Sequence, residues 1–376
     1  MIPLNFSFNR KTALTNIVLL LFSLIICFIL LEVIARILIA QQEATVPCIY
    51  QEDSMRGWAL QSNLSMTANA PGGEYSNFIQ TNSRGERSPE ISVSGQQFLI
   101  LGIGDSMTFG QGVDENQAYL RLLENGLREK GKDVAVLNAG VGGYNTKQEI
   151  DTLEYYPEDF SPDLIVLGFF TGNDVYGNLE DRFRYDIVNG CLKAKPVEGT
   201  GFKHFLRTNL KSYGFFAEKL RAVPVVSDLL MSIGLMSKKR PNVYMLSMQN
   251  PPSAEMQPAW DETERQLERA QAIAEKQGIK IIIMVIPSSF QVYDEIGKNA
   301  LASYGIDKEG FEYNYPEKQL ASFAEGKPNL VIVPLVEEFR KSDEKLFYEK
   351  DPHLTAAGQA LAAQILEREV LKQSLS

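Results

Sequence analysis

The sequence predicts an α/β fold: a five-stranded parallel sheet covered by helices on both faces, preceded by a transmembrane helix and a small β-rich lead-in. Three observations predict it. A long uncharged apolar run lies near the N-terminus, a polar stretch follows, and from Gln97 onward apolar strand-like runs alternate with helix-like segments. The 376 residues, 44% of them hydrophobic, are sufficient for a large core.

The apolar run covers Thr12–Leu31, 20 residues without a charge. A helix of about 20 apolar residues crosses the ~30 Å hydrocarbon core of a bilayer. Arg10 and Lys11 precede the run, and no Lys or Arg occurs in residues 39–50. The positive-inside rule therefore predicts a single-pass protein of the cell (inner) membrane, with a cytoplasmic N-terminus and everything after Ala40 on the periplasmic side.

A cleaved signal peptide is the alternative interpretation of this segment. Its apolar core usually has 7–15 residues and ends in a small-x-small site. Here the run is longer, and Leu38 occupies a position that such a site reserves for a small residue. We expect residues 1–11 to be the cytoplasmic N-terminus and 12–40 to be an uncleaved anchor. Near its outer end Glu32 and Arg36 lie one helical turn apart, where they can pair.

The net charge and the histidine and cysteine content argue against several classes of function. A net charge of −10 with no Lys/Arg tract makes nucleic acid a poor partner. Two histidines, no Cys-x-x-Cys and no His-Glu-x-x-His predict neither a metal site nor another cofactor. Cys27 falls in the apolar run, whereas Cys48 and Cys191 would lie in an oxidising compartment, where a disulfide can persist; their distance is open at this stage.

Residues 41–96 are predicted to be an extracytoplasmic lead-in or stalk. This stretch is rich in Ser, Asn, Gly and Thr, and Gly73–Ser88 has the alternation and turn residues of a strand followed by a turn. The main domain is expected over 97–372, interrupted by a helical insertion at about 175–258. Residues 201–236 hold two amphipathic helices, for which a packed insertion is the favoured interpretation and a cap or a membrane-facing surface the alternatives.

The alternating elements of the main domain are continuous apolar runs and segments with helical spacing. Runs of the first kind are typical of parallel strands that are buried on both faces. The predicted strands are 97–103, 133–140, 163–170, 279–287 and 329–335, and the predicted helices are 118–131, 146–156, 261–278 and 355–372. Ligands of such sheets bind outside the carboxyl ends of the strands.

One strand ends in "LILGIGDSMTFGQG", Leu99–Gly112, which places Ser106 among glycines just past an apolar run. A serine nucleophile needs a base, and the base is usually histidine. His204 lies in an amphipathic segment, whereas His353 lies in Asp-Pro-His ahead of the closing helix. Because the proline biases the preceding Asp351 to an extended conformation, that loop can hold Asp351 against one imidazole nitrogen and leave the other for Ser106.

Two further strand ends offer donors for an oxyanion. Asn138–Thr146 contains glycines that let the backbone approach a ligand, and Asn173 follows the third strand of the main domain. Each of these segments alone is typical of an ordinary turn. Their succession at three strand ends, together with Asp-x-His near the C-terminus, favours a catalytic site.

These segments together resemble the blocks of the SGNH/GDSL hydrolase superfamily, in its membrane-anchored bacterial form. The similar blocks are "GDSMTFG" (Gly104–Gly110), "NAGVGG" (Asn138–Gly143), "GND" (Gly172–Asp174) and "DPH" (Asp351–His353). The resemblance covers about Gln97–Lys372 and implies a flavodoxin-like three-layer α/β/α fold. Two features differ from the usual pattern: one residue rather than two separates the last Asp and His, and Met follows Gly-Asp-Ser where Leu is usual.

The resemblance also implies residue roles. Ser106 would be the nucleophile, His353 the base and Asp351 the residue that orients the base, while Gly143 and Asn173 would complete an oxyanion hole with the Ser106 N–H. We therefore predict an extracytoplasmic serine esterase that acts on small-molecule, glycan or lipid esters, such as O-acetyl groups on glycans or lipid acyl esters. An O-acyltransferase acting on a polysaccharide and a non-catalytic binding protein are the alternatives, and the oligomeric state is open.

Overall fold

A computed structural model describes most of the chain. The described residues are 10–43, 47–70, 73–90, 97–156, 160–181, 183–195, 202–221, 223–232, 243–304 and 310–373. They form two compact units. We call Met1–Ala44 with Pro196–Lys239 the helical unit, and Thr45–Lys195 with Arg240–Ser376 the sheet unit.

The strands all belong to the sheet unit. They are β1 (Tyr50–Asp53), β2 (Gly57–Leu60), β3 (Ser65–Asn69), β4 (Ser76–Gln80), β5 (Phe98–Gly104), β6 (Val134–Asn138), β7 (Leu164–Phe170), β8 (Tyr185–Val188), β9 (Cys191–Ala194), β10 (Lys280–Ile286) and β11 (Leu330–Pro334). Strands β1 and β2, β3 and β4, and β8 and β9 pair as antiparallel hairpins. The remaining five strands form the central sheet.

The helices are divided between the two units. Those of the helical unit are α1 (Arg10–Glu43), α5 (Phe202–Asn209), α6 (Lys211–Arg221) and α7 (Pro224–Ser232). Those of the sheet unit are α2 (Ser106–Phe109), α3 (Tyr119–Glu129), α4 (Thr146–Tyr155), α8 (Val243–Leu246), α9 (Gln257–Gln277), α10 (Ser289–Val292), α11 (Asp294–Tyr304), α12 (Tyr315–Ala324), α13 (Val336–Arg340) and α14 (Ala356–Gln373).

The central sheet is parallel throughout and has the order β11-β10-β7-β5-β6. Numbered along the chain within this sheet, that order is 5-4-3-1-2, the flavodoxin-like arrangement. The predicted α/β class and all five predicted strands are confirmed. The chain order reverses between β5 and β7, so the topological switch point lies between the ends of these two strands.

Both faces of the central sheet are covered, because successive side chains of a buried strand point to opposite sides. On one face Ile282 and Met284 of β10 pack with α3 and α14. On the other face Ile281 and Ile283 pack with α4, α9 and α12. The continuous apolar runs in the sequence therefore serve two separate core layers, and they leave the carboxyl edge of the sheet for polar residues.

The switch point has a tight backbone geometry that explains two of its glycines. Gly104 ends β5 opposite Gly168 of β7, and the Thr108 side chain fills the space between them. A Cβ built on Gly104 would lie 2.0 Å from the Thr108 Oγ1, and one on Gly168 would lie 2.2 Å from it. The Tyr119 hydroxyl donates to that Thr108 oxygen at 3.0 Å. The absence of side chains at both glycines lets α2 sit directly on the sheet edge.

The lead-in is a β-rich layer with a core of its own. Trp58 of β2 and Ile79 of β4 are buried with Phe109 of α2 and with Tyr144 from the loop that follows β6. The hairpin β8–β9 packs on the same cluster through partly buried side chains such as Ile187. A disulfide joins Cys48 to Cys191 and so links the lead-in covalently to this hairpin. The sequence left undecided whether Cys48 and Cys191 are close enough to pair, and the structure shows that they form a disulfide.

The expected helical insertion at about 175–258 divides into different structures. Its first part forms the hairpin β8–β9 of the sheet unit, and only α5–α7 belong to the helical unit. Several apolar side chains of α5–α7 are exposed. In the same unit, residues Leu14–Ile37 of α1 are long and apolar enough to cross a membrane, judged by length and composition.

Candidate active site

Ser106 lies just beyond the end of β5, one strand of the central sheet. It is the first residue of α2, whose N-cap is Asp105. The Asp105 Oδ1 accepts a hydrogen bond from the Met107 N–H at 2.8 Å, and Gly110 ends the helix in the left-handed conformation at a φ of +80°. This capped single turn holds Ser106 at the switch point, where parallel sheets of this kind bind ligands.

The side chains of Ser106, His353 and Asp351 form one hydrogen-bonded series. The His353 Nε2 lies 2.7 Å from the Ser106 Oγ, and the His353 Nδ1 is hydrogen-bonded to the Asp351 Oδ1. The His353 backbone N–H donates to the same carboxylate oxygen at 3.0 Å. A carboxylate at Nδ1 favours a proton on that nitrogen, which leaves Nε2 to accept the serine proton. The other histidine, His204, lies in α5, and its side chain is outside the described part of the chain.

Asp351 is held from its other side by Tyr75, which sequence reasoning missed. The Tyr75 hydroxyl donates to the Asp351 Oδ2 at 3.1 Å. Burial opposes ionisation of this carboxyl, but the hydrogen bonds from His353 and Tyr75 and the charge of His353 lower the pKa of Asp351 below its ordinary value. Asp351 is therefore ionised at neutral pH. Tyr75 precedes β4 in the lead-in, and the only signal in the sequence was the alternation of Gly73–Ser88.

The loop after β6 presents backbone rather than side chains to Ser106. A Cβ built on Gly142 would lie 2.6 Å from the Tyr50 hydroxyl and 3.9 Å from the Ser106 Cβ. The Trp58 indole N–H holds this loop by donating to the Gly142 carbonyl at 3.1 Å. Gly143 has a φ of +80°, a conformation that L side chains rarely adopt. The glycine pair therefore permits a close approach of the peptide chain to the serine.

Asn173 lies in the turn after β7 and connects two of the predicted loops. Its Nδ2 donates to the Tyr144 carbonyl at 3.1 Å. Its Oδ1 is buried without a hydrogen-bond partner among the described residues. An amide nitrogen carries two hydrogens, so the Tyr144 contact uses one of them. The second hydrogen remains for another acceptor, and the Asp105 carboxyl is one such acceptor, since a hydrogen bond from the Asn173 side chain lowers the pKa of Asp105.

Three fully buried acids lie next to the site: Asp105, Glu149 and Asp174. Burial raises the pKa of Asp105 to about 6, although its Met107 hydrogen bond and the charge of His353 act in the opposite direction. Burial and the charge of neighbouring carboxylates raise the pKa values of Glu149 and Asp174 well above their usual range. The described residues contain no group of three or more His, Cys, Asp or Glu that could hold a metal ion. Burial therefore favours the protonated, neutral form of Glu149 and Asp174.

Sequence reasoning missed Glu149 because it falls within a helical pattern, where an acid usually faces solvent. In the structure it lies on the buried side of α4, and neither carboxylate oxygen has a hydrogen-bond partner among the described residues. Asp105 and Asp174 lay inside the quoted blocks "GDS" and "GND", but their burial was not predicted. Only the packing of α4 on the sheet brings the three carboxyl groups together.

Arg87 is another residue that sequence reasoning missed, and it joins the lead-in to the loop after α2. Its side chain is 1% exposed and donates to the carbonyls of Phe109, Gly110 and Val113 at 2.8, 2.6 and 2.6 Å. Burial lowers the pKa of Arg87 to about 10, which still leaves it charged at neutral pH. Its hydrogen-bond partners are carbonyl dipoles, and the charges of Glu115 and Asp114 also favour the cation. The Arg87 side chain therefore stabilises the loop directly after α2.

A cleft of about 1260 Å³ borders the acid end of the hydrogen-bonded series at Asp351 and Pro352. Aromatic rings and charged groups line it together. The rings include Phe170, Tyr244, Tyr293 and Tyr348, and the charged groups include Asp294, Glu295, Arg340, Glu344 and Lys350. A cleft of this size holds a small molecule or a sugar unit, and its few convergent polar groups can orient one.

A flavodoxin-like sheet that holds hydrogen-bonded Ser, His and Asp at its switch point has the architecture of a serine hydrolase. The model of the GDSL-like lipase/acylhydrolase family matches residues 103–361. The chain therefore belongs to this family, and it is an ester hydrolase. The resemblance inferred from the four sequence blocks is confirmed.

Several solved structures are similar to this chain. TesA is 14% identical over 73% of this chain and 99% of its own, with a TM-score of 0.41. The acetyl xylan esterase AlAXEase is 14% identical over 72% and 99%, with a TM-score of 0.40. The psychrotrophic esterase EstA from Pseudoalteromonas sp. is 10% identical over 74% and 100%, with a TM-score of 0.39. A comparison with curated protein sequences gives no match.

Proposed function

We propose that this chain is a membrane-anchored, extracytoplasmic serine esterase with Ser106 as nucleophile and His353 as general base. Asp351 orients the imidazole. The observation that carries the proposal is the 2.7 Å contact between the His353 Nε2 and the Ser106 Oγ, with Asp351 bonded to the opposite ring nitrogen. This is the hydrogen-bond order that activates a serine hydroxyl.

In the acylation step the Ser106 Oγ attacks the ester carbonyl while the His353 Nε2 takes its proton. The ionised Asp351 stabilises the imidazolium that forms. The developing oxyanion is bound by the N–H groups of Ser106 and Gly143 and by the second Nδ2 hydrogen of Asn173. His353 then protonates the leaving alcohol, and a water molecule activated by the same imidazole releases the acyl group.

The substrate we infer is a short acyl ester on a polar carrier such as a glycan. The cleft beside Asp351 supports this, because side chains such as Asp294, Arg340 and Lys350 line it together with aromatic rings. Placing a long acyl chain against such charged groups would remove them from water at a high free-energy cost. A membrane lipid is therefore the less favoured ester.

The membrane topology we propose follows from the sequence around α1. Arg10 and Lys11 flank the N-terminal end of the apolar stretch Leu14–Ile37, and the charge bias puts that end in the cytoplasm. The Cys48–Cys191 disulfide supports an oxidising compartment for the sheet unit. Alkaline phosphatase fused after residue 376 should then be active in intact bacterial cells, and an inactive fusion would contradict this orientation.

The catalytic assignment is tested with a fluorophosphonate probe on the full-length chain. We expect the wild type to be labelled covalently and the variant Ser106→Ala not to be labelled. The matched control is Ser322→Ala, which removes the hydroxyl of an exposed serine in α12. Labelling of Ser106→Ala at the wild-type rate would assign the nucleophile to another residue.

The substrate class is tested with p-nitrophenyl esters of increasing acyl length, followed by acetylated glycans. We expect kcat/KM to be highest for acetyl and to fall with chain length, and we expect free acetate as the product. A maximum at long acyl chains would favour lipids instead. Acetate transferred to an added glycan, rather than released, would identify an acyltransferase with the same residues.

A further inference from the structure

Helices α5, α6 and α7 carry apolar side chains that the described residues do not cover. Phe216 and Leu220 of α6 are both more than a third exposed, and Val225 and Leu229 of α7 are 80% and 61% exposed. Each pair is four residues apart, so its members lie on the same face of their helix. Phe205 of α5 is also exposed. Stripes of this kind on a soluble surface indicate an interaction site.

The same three helices are basic in an otherwise acidic chain. Residues Phe202–Ser232 contain five Lys or Arg and two Asp or Glu, a charge of +3, whereas the whole chain has a net charge of −10. Helices that combine basic residues with exposed apolar ones are typical of segments that lie on a membrane surface. The positive charge matches the negative surface potential of anionic lipids.

Contacts with α1 set the position of these helices along the apolar stretch. The Glu32 carboxylate accepts hydrogen bonds from the backbone N–H groups of Lys211 and Ser212 at 3.1 and 3.0 Å, at the start of α6. The Arg36 guanidinium donates to the Asn209 carbonyl at 2.9 Å, at the end of α5. The ion pair that the sequence predicted between Glu32 and Arg36 is also present. The junction between α5 and α6 is therefore fixed to one short segment of α1.

That segment lies at the outer boundary of the predicted span. At 1.5 Å per residue, Glu32 and Arg36 are about 27 and 33 Å from Leu14 along the helix axis. The hydrocarbon core of a bilayer is about 30 Å thick. If Leu14 lies at one edge of this core, the Glu32 and Arg36 contacts lie at the other edge. They bring the start of α6 to the level of the lipid headgroups.

We propose that α5–α7 form a second membrane-binding element, which lies on an anionic lipid surface with its exposed apolar side chains inserted. The proposal rests on the anchor role proposed for α1. We assign this surface to a bilayer rather than to a protein partner. The surface continues from the apolar span of α1, and its positive charge is complementary to anionic lipid. The element would restrict the orientation of the chain at the membrane more than a single helix can.

The test uses the full-length protein in vesicles of phosphatidylethanolamine and phosphatidylglycerol. An environment-sensitive fluorophore is attached to Val225→Cys or Leu229→Cys in a Cys27→Ser background, and doxyl-labelled lipids serve as quenchers. We expect blue-shifted emission and quenching by a doxyl group close to the headgroup. A Tyr155→Cys label on an exposed position of α4 is the matched control, for which we expect no quenching. Hydrolysis of a soluble ester shows that each labelled variant is folded.

The possible outcomes distinguish membrane binding by α5–α7 from membrane insertion of α1 alone. A label on the native Cys27 reports whether α1 is inserted. Quenching at Cys27 without quenching at positions 225 and 229 would overturn the second element and leave the anchor. Absence of quenching at all three positions would overturn both. Labels that are shielded from aqueous iodide but not quenched by lipid would assign the face to a protein contact, which also overturns the proposal.

The charge argument is tested by replacing phosphatidylglycerol with phosphatidylcholine. We expect quenching at position 225 to weaken while quenching at Cys27 stays the same, because the apolar span does not depend on lipid charge. Equal quenching at position 225 in both vesicles would overturn the assignment to anionic lipid. The variant Lys219→Glu should have the same effect as neutral lipid, since it reverses one charge of α6.

Discussion

The sheet unit and the helical unit differ in how far their apolar side chains are buried. In the sheet unit, leucines such as Leu123 and Leu167 are completely buried between helices and the central sheet. In the helical unit, leucines such as Leu24 and Leu229 are more than half exposed. The two groups contain the same residue type, so composition alone does not separate them.

The difference shows whether each unit can bury its apolar side chains within itself. The sheet unit supplies its own core, because a parallel sheet with helices on both faces removes apolar surface from water. In its described residues, the helical unit has one long apolar helix and three short ones, and many of their apolar side chains are exposed. We propose that lipid covers this apolar surface, and the predictions below test the contrast from the largest expected effect to the smallest.

The largest effect is expected on catalysis in the sheet unit, for Asn173→Ala. Loss of one oxyanion donor typically costs about 2.7–4 kcal/mol, or two to three orders of magnitude in kcat. We expect that loss with KM and membrane binding unchanged. The control is Asn299→Ala, at an exposed position of α11. A kcat within twofold of the wild type would remove Asn173 from the oxyanion site.

The next effect concerns stability and compares two leucines directly. Leu123→Ala should lower the free energy of unfolding of the chain by about 2–5 kcal/mol, because it leaves a cavity in a closed core. Leu229→Ala should change it by less than about 0.5 kcal/mol, because that side chain is exposed. Thermal unfolding in detergent measures both variants. Equal losses would show that the two units bury their leucines alike.

A third prediction concerns the pH dependence that the buried acids impose. Because the pKa of Glu149 is raised in the folded chain, the folded state keeps a proton that the unfolded state releases as the pH rises above about 4.5. Wild-type stability therefore falls with rising pH over this range, by at most about 1.4 kcal/mol per pH unit. Glu149→Gln lacks this titration, so its thermal midpoint relative to the wild type should rise from pH 5 to pH 8.

Its control is Glu129→Gln, which changes an exposed acid at the end of α3 and should give a constant difference. If the thermal midpoints of Glu149→Gln and Glu129→Gln depend on pH in the same way, the folded chain does not keep Glu149 protonated.

The smallest effect is expected for Tyr75→Phe. The variant removes one of the hydrogen bonds that hold Asp351, while both bonds from His353 remain. A net loss of about 1 kcal/mol, or roughly fivefold in kcat, follows from the usual value of a hydrogen bond. The pH profile of kcat should also change, since the Tyr75 hydrogen bond is one of the contacts that lower the pKa of Asp351. Tyr155→Phe is the control, and an unchanged kcat and pH profile would exclude a positioning role for Tyr75.

Much of the architecture followed from local patterns. Each of the five strands of the central sheet was visible as an apolar run, because burial on both faces demands an unbroken series of apolar residues. The loops that carry Ser106, Gly143, Asn173 and His353 were identified from their positions after strands or before a helix. Patterns of this kind depend on neighbouring residues, and a single sequence displays them.

Contacts between distant segments were not visible in the same way. Tyr75 and Asp351 are 276 positions apart, and nothing local indicates that they meet. The β8–β9 hairpin was expected to be part of a helical insertion, because its short strands have too little alternation to be recognised. The sequence also left open what covers α5–α7, since an amphipathic helix does not reveal whether protein or lipid lies against its apolar side.

The sequence by itself determined the parallel sheet, the apolar span near the N-terminus and the residue types at the strand ends, because each depends on hydrophobic periodicity and on backbone preferences within a few residues. Only the tertiary structure decided that His353 meets Ser106, that Cys48 pairs with Cys191 and that three carboxyl groups lose their solvent together. Those outcomes depend on which surfaces the folded chain brings into contact. That is a property of the whole chain, which no short window of sequence contains.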